Sequence, residues 1–177
     1  MTTINIYLVK RCMMMPRIER QLTENLNSYF HDVLERDPQW REDYSVEIQI
    51  GSRCPTVPSD RDVVVYLVQD ASASVFSRFG VAAHGHGGLT VHNIPPGRQA
   101  ASEVYVGTSV ATLLSKVTFH EILHNKTGWG NNRLHHHHRT GIASAVIRVD
   151  TPVTDGDLDL MGNHLGGRHP QWSGGCR

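Results

Sequence analysis

The sequence VATLLSKVTFHEILHNK occupies residues Val110 to Lys126. Its first half has apolar side chains three and four positions apart, the spacing of one helix face: Val110, Leu113, Leu114 and Val117. Thr108 or Ser109 can cap the start of this helix, since a hydroxyl there accepts a hydrogen bond from a free backbone amide. Gly128 and Gly130 follow and supply the stop. We therefore predict a helix that ends near Lys126 and turns its apolar face into the protein.

The second half of this segment carries a histidine pair with an acidic neighbour. His120 and His124 are four residues apart, so on a helix they share one face, with Cβ atoms about 5–6 Å apart. Two imidazole nitrogens can then bind one Zn²⁺ at about 2.0–2.1 Å. Glu121 lies at the flank, where it can accept a proton from a metal-bound water. The pattern HExxH predicts a catalytic zinc site; the alternative is an accidental match, or two core histidines with ordinary partners.

A catalytic zinc ion usually has a third protein ligand and an open position for water. A run of four histidines, His135 to His138, follows the predicted glycine stop. His135 is the first choice for the third ligand, because it comes directly after the apolar residue Leu134. The alternatives are the neighbours in the run, His136, His137 and His138, or a carboxylate from Asp155, Asp157 or Asp159.

The rest of the chain reads as one domain, residues 1–177, in the order strand, helix, strand, strand, edge strand, strand, helix, and a smaller C-terminal part from residue 131. The predicted strands are Ile4–Leu8, Val46–Ile50, a buried Val63–Val68, an edge strand reached from a glycine-rich loop at 80–92, and Glu103–Val106. A helix from Arg17 to about Glu35 is opened by Pro16 and ended by Pro38. The residues from Thr151 to Asp159 predict a polar, solvated loop. The tail from Gly162 is rich in glycine and histidine and predicts an irregular, loop-like segment.

The motif and its setting resemble the metzincin branch of the zinc peptidases. That family has the pattern HExxHxxGxxH and a downstream turn containing methionine. The resemblance assigns His120 and His124 to the first two ligands and Glu121 to the general base. Gly128 resembles the family's turn glycine and Met161 its Met-turn, although simple core packing would also explain Met161. Gly128 lies one position late and His135 five positions late relative to the family pattern.

The resemblance implies an α+β fold: a mixed twisted sheet with an antiparallel edge strand, one backing helix, one active-site helix and an irregular C-terminal part. In that family the edge strand walls the cleft, so residues near Gly87 to Asn93 would hold a substrate peptide by β-augmentation. The tyrosine that follows the methionine in some members is absent. His164 or Asn163 stands nearby and could donate to the oxyanion.

Composition adds limits on partners and compartment. Lys plus Arg and Asp plus Glu both number 17, so charge favours neither nucleic acid nor an anionic membrane as a partner. Three cysteines are too few for a disulfide framework, and Cys54 reads as a structural thiol. The first residues do not form a signal peptide, because Lys10 and Arg11 follow the apolar stretch. We expect a cytoplasmic protein or one exported by a non-classical route. Candidate partners are a protein inhibitor and a delivery partner.

These observations favour a zinc metallopeptidase acting on a peptide or protein through one catalytic Zn²⁺. Two alternatives stay open at this point. The same chemistry would serve a zinc amidase acting on a cell-wall or other non-protein amide. A non-catalytic zinc-binding or metal-binding protein would also be rich in histidine, and this chain has 12. A further metal site at His84 and His86 is a weaker hypothesis; a flexible loop is the better interpretation there.

Overall fold

The computed structural model describes residues 1–56, 58–81, 87–95, 97–107, 110–137 and 140–176. The expected caps Thr108 and Ser109, and the histidines His84 and His86, lie outside these residues. The described strands are β1 Thr2–Lys10, β2 Tyr44–Gly51, β3 Val63–Val68, β4 Gly88–Ile94 and β5 Gln99–Tyr105. The described α-helices are α1 Pro16–Glu35, α2 Pro38–Asp43, α3 Ala111–Thr127, α4 Asn131–His137 and α5 Asp155–His164.

The strands form one mixed sheet in the order β2-β1-β3-β5-β4. The first four of these pair in parallel, and β4 lies antiparallel to β5 at the edge. All six residues of β3 are buried because this strand is central and covered on both faces. An α+β fold with a mixed sheet and an antiparallel edge strand is therefore confirmed.

Helix α3 runs through the interior instead of lying on the surface. It packs on α1, where Phe119 contacts Tyr29 and Phe30 at ring-centroid distances of 5.6 and 5.2 Å. From Leu114 to Lys126 every residue of the helix is buried, because α1, α5 and the sheet surround it. Only Val110 departs from the predicted face, since it precedes the helix and is 54% exposed. The segment that carries the histidine pair is thus held from several sides.

The C-terminal tail covers the other face of the sheet. Its backbone runs beside β5, where the amide of Ala100 donates to the carbonyl of Pro170 at 2.7 Å and Trp172 returns a bond to the carbonyl of Ala100 at 3.0 Å. The hydroxyl of Tyr66 donates to the carbonyl of Trp172 at 2.9 Å. Helix α5 extends to His164, but from Leu165 to Ser173 the tail has no helix or strand apart from one isolated bridge between Ala100 and Gln171, so the expectation of an irregular tail is confirmed for this stretch.

Cysteine chemistry also differs from expectation. Cys54 is disulfide-bonded, whereas Cys12 is a free thiol. The interpretation of Cys54 as a structural thiol is therefore wrong.

Two helices begin where the sequence predicted loops. Pro38 does not only end α1; it begins α2, whose first turn is capped by the carboxylate of Asp37. Thr154 and Asp157 form a reciprocal capping box that starts α5. The prediction of a solvated loop at 151–159 holds for residues 151–154 and is wrong from Asp155 onward, where α5 begins and Asp157 is completely buried. The C-terminal part therefore contains two α-helices, α4 and α5, within irregular stretches. Among the described helices, none combines the length and the apolar character needed to cross a bilayer.

Candidate metal centre

The two histidines of α3 present their Nε2 atoms to each other. These atoms are 3.1 Å apart. Each ring binds a backbone carbonyl through Nδ1: His120 to Ile142 at 2.6 Å and His124 to Trp129 at 2.7 Å. A carbonyl only accepts hydrogen bonds, so in both rings Nδ1 carries the proton. In the neutral ring Nε2 then has a free lone pair, which is the ligand form of histidine.

Burial keeps both rings neutral. It lowers the pKa of His120 to about 3, with the neighbouring His124 adding to the effect. It lowers the pKa of His124 to about 4, and there the carbonyl of Trp129 opposes the shift. Two neutral acceptor nitrogens at this distance cannot hydrogen-bond each other. A cation between them would remove their repulsion, so the pair could receive one.

Helix α4 brings His135 to this pair. Its Nε2 lies 3.4 Å from that of His120, and the ligand atoms of the three histidines all lie within 4.8 Å of one another. In a tetrahedral site with Zn–N bonds near 2.05 Å, two nitrogens are about 3.3 Å apart. The observed separations are close to that value. The three side chains could therefore hold a metal ion, and their donor set suits Zn²⁺.

The local sequence explains how His135 reaches the site. Gly128 adopts φ +66° as the left-handed cap of α3, a conformation that favours glycine. The chain then turns so that the carbonyl of Trp129 meets His124. Leu134 is completely buried and anchors α4 in the main core. The burial of Leu134 agrees with the choice of His135 as third ligand, which was made because His135 directly follows this apolar residue.

The other candidates for the third ligand are exposed, have other partners, or have side chains that the structure does not describe. His136 is exposed, and the side chains of His137 and His138 are not among those described. Asp155 and Asp159 pair with the guanidinium of Arg36 at 2.9 and 2.8 Å. The carboxylate of Asp157 is bound in the capping box of α5.

Glu121 lies beside the histidines in a confined position. The hydroxyl of Thr90 donates to its Oε2 at 2.6 Å, and a Cβ atom on Gly88 would meet its Oε1 at 2.7 Å. Burial raises the pKa of Glu121 to about 8; the charge of Glu103 adds to this, and the Thr90 hydrogen bond opposes it. A carboxyl with a pKa near neutrality can both accept and return a proton.

A second buried carboxylate, which the sequence analysis missed, supports this region. Glu103 on β5 is completely buried. It accepts hydrogen bonds from the hydroxyl of Ser74 at 2.6 Å, the amide of Val75 at 2.9 Å and the hydroxyl of Tyr105 at 2.8 Å. A lone charge inside an otherwise apolar strand was the available signal, since an acid that is fully buried is rare unless it has partners.

A cavity of about 380 Å³ opens over these groups. Strand β4 forms one wall, and Ala145 and Ile147 lie on another. The apolar part of its lining includes Leu113, Leu114 and Val117. His120, Glu121, His124 and His135 all line this cavity, so a molecule that enters it meets the candidate ligands and the carboxyl group together.

Two supporting residues are placed differently from expectation. Met161 lies inside α5 and is completely buried in the main core, so the prediction of a Met-turn is wrong and core packing describes this side chain. His164 bonds through Nδ1 to the carbonyl of Leu160 at 3.0 Å, and its ring packs on Trp129. Neither His164 nor the exposed Asn163 belongs to the described cavity lining, so nothing in this geometry supports the oxyanion role.

In comparisons with known proteins, no family model and no curated protein matches this chain. The resemblance to metzincins therefore depends on the motif and its setting.

Proposed function

We propose that this chain is a zinc-dependent peptidase with Glu121 as general base and His120, His124 and His135 as metal ligands. One observation carries the proposal. One ligand nitrogen from each of the three histidines lies within 4.8 Å of the other two, at a cavity that Glu121 also lines. Within the described residues the group has three members. That number is typical of catalytic zinc sites, whereas structural sites use four protein ligands.

The zinc ion, when bound, would polarise a carbonyl oxygen and make a water molecule more acidic. The chain's own residues perform the proton transfers. Glu121 takes a proton from the attacking water and delivers it to the nitrogen of the departing amine. Thr90 holds one carboxylate oxygen at 2.6 Å and so fixes the orientation of the base.

Among the described residues no strand pairs with the outer edge of β4, and such an edge favours an extended peptide as substrate. The amide of Tyr105 donates to the carbonyl of Gly87 at 2.9 Å, which makes these residues a hydrogen-bonded pair. In antiparallel pairing such pairs alternate with non-bonded ones, so Gly88 and Thr90 direct their backbone groups away from β5. A peptide strand could pair with them along the cavity wall. A small amide would make no use of this edge.

Substitution of Glu121 by Gln tests the proposal. E121Q keeps the size of the side chain but removes its basicity, so we expect hydrolysis to fall at least about 100-fold. Zinc content, measured by elemental analysis, should stay at one ion per chain in both proteins. A mixed peptide library read by mass spectrometry supplies the substrates, and Glu47→Gln on the exposed face of β2 is the surface control.

Three outcomes would contradict the proposal. Wild-type rates in E121Q would exclude Glu121 as the base. Absence of zinc from the wild-type protein would exclude the metal centre. Zinc binding without cleavage of any peptide would favour the amidase or a non-catalytic protein, and a panel of non-peptide amides would separate those two.

A further inference from the structure

We propose that Asp157 is a positioning residue for the metal centre: it holds the turn Gly141–Ala143 in place so that the turn fixes the ring of His120. The inference rests on the metal site of the proposed function. It assigns a task to a carboxylate that neither lines the described cavity nor touches a candidate ligand directly.

Asp157 accepts four hydrogen bonds, and two of them come from this turn. Its carboxylate is completely buried. It accepts hydrogen bonds from the amides of Ile142 and Ala143 at 3.1 and 3.0 Å. The amide and hydroxyl of Thr154 donate to it as well, both at 2.8 Å. A carboxylate offers about four lone-pair sites, so the capping box accounts for only part of its bonding.

The same turn also contacts His120, through the carbonyl of Ile142. The amide of Ile142 binds Asp157, while the carbonyl of Ile142 accepts from Nδ1 of His120 at 2.6 Å. Gly141 has φ +79°, and a Cβ atom there would collide with Oδ2 of Asp157. Glycine is therefore required for the turn to approach the carboxylate this closely. The chain of contacts runs from Asp157 through Ile142 to His120.

This connection matters for metal binding because the carbonyl of Ile142 selects the tautomer of His120. A proton held on Nδ1 leaves the Nε2 lone pair free toward the ion. Groups that orient a metal-binding histidine in this way typically contribute a factor of about 10–100 to metal affinity. Asp157 would act one step further out, through the backbone.

Asp157→Asn is the direct test, with Asp62→Asn as its matched control. Asp62 is also buried, at 4% exposure, and its carboxylate also binds backbone amides, those of Asn5 and Ser59. Those partners lie outside the elements that carry the three histidines. In D157N one accepting oxygen becomes an NH₂ donor that faces backbone N–H groups. D62N makes the same change next to the amides of Asn5 and Ser59, away from the histidines.

Zinc affinity is measured by competition with a chromophoric chelator. We expect D157N to lose about 10- to 100-fold and D62N less than about threefold, since distant sites act independently. A second readout uses the metal-free protein: ¹⁵N spectra of His120 should show one Nδ1–H tautomer in wild type and D62N, and a tautomer mixture in D157N. A residue that only caps α5 would change stability without changing that signature.

Wild-type zinc affinity and an unchanged His120 tautomer in D157N would overturn the inference while leaving the proposed function intact. Absence of zinc binding in the wild-type protein would instead overturn the proposed function. If D157N does not fold, Gly141→Ala decides, because it displaces the turn from the intact carboxylate. The same loss of affinity in G141A supports the inference, and wild-type affinity in G141A refutes it.

Discussion

Zinc should stabilise this protein strongly, and the histidine geometry sets the size of the effect. Two Nε2–Nε2 separations, 3.1 and 3.4 Å, already approximate the tetrahedral value, so little rearrangement opposes binding. At free zinc 1,000 times the dissociation constant, binding adds about 4 kcal/mol to the free energy of unfolding. For a chain of 177 residues, each kcal/mol raises Tm by about 2–4 °C, so we expect an increase of about 8–16 °C.

His124→Ala removes one of the three ligands and should remove most of this increase. The substitution also leaves the carbonyl of Trp129 without its partner, which lowers Tm in the absence of metal. The meaningful quantity is therefore the zinc-induced change within each variant. His136→Ala is the matched control, because His136 stands in the same histidine run but is exposed.

The assay is thermal unfolding followed by circular dichroism, after chelation and across a zinc titration. Wild type and H136A should show the same large increase in Tm, and H124A an increase below about 2 °C at the same zinc concentration. Equal increases in wild type and H124A would refute the reasoning. Loss of the effect in H136A would assign the site to another part of the run.

Three further predictions concern neighbouring groups. Thr90→Val removes the hydroxyl that donates to Glu121, so kcat should fall about 10-fold with little change in KM. Thr90→Ser keeps a hydroxyl and should keep near-normal kcat. An equal loss of kcat in both variants would contradict this role of Thr90. Lys116→Met leaves the carbonyls of Val149 and Thr151 without the ammonium that donates to both at 2.6 Å, and urea denaturation should show a loss of about 2–3 kcal/mol; an unchanged midpoint would count against that anchoring role. In the metal-free protein the folded state holds a proton on Glu121 up to about pH 8, against 4.5 for an ordinary glutamate. The contribution of Glu121 to stability should therefore be lost as pH rises from 4.5 to 8, whereas the low pKa values of His120 and His124 make stability rise with pH below 6.5. The test is thus the difference between proteins: in urea denaturation at several pH values, the wild type should lose stability relative to E121Q between pH 4.5 and 8, and an equal slope in both proteins would contradict the assignment.

The N-terminal half of the fold could be predicted because its patterns are local. Alternation at Ile4, Ile6 and Leu8 and the β-branched run at Val63–Val68 each indicate a strand without reference to distant residues. The position of β4 at the sheet edge followed from its glycine-rich approach. Helix α5 also carries a local signal, the capping box of Thr154 with Asp157 at its start. It was not recognised because the acidic spacing there looked like a solvated loop.

The candidate site could also be predicted only in part from the sequence. HExxH lies within one helix, so its geometry follows from helical periodicity alone. His135 could only be inferred from its apolar neighbour Leu134, because the path from α3 to α4 depends on the left-handed Gly128 and on packing in the core. The role of Glu103 was missed, and Asp157 was interpreted as part of a solvated loop. Each carboxylate accepts hydrogen bonds from residues distant in the sequence: Glu103 from Ser74 and Val75, and Asp157 from Ile142 and Ala143.

X-ray absorption at the zinc edge of the zinc-loaded protein is the most direct test for a three-histidine zinc centre beside Glu121. We expect one ion per chain with three imidazole nitrogens at about 2.0–2.1 Å and a remaining light-atom ligand. Replacement of His135 by Ala should reduce the imidazole count from three to two. A fourth imidazole or a sulfur ligand, or a spectrum unchanged in His135→Ala, would contradict it.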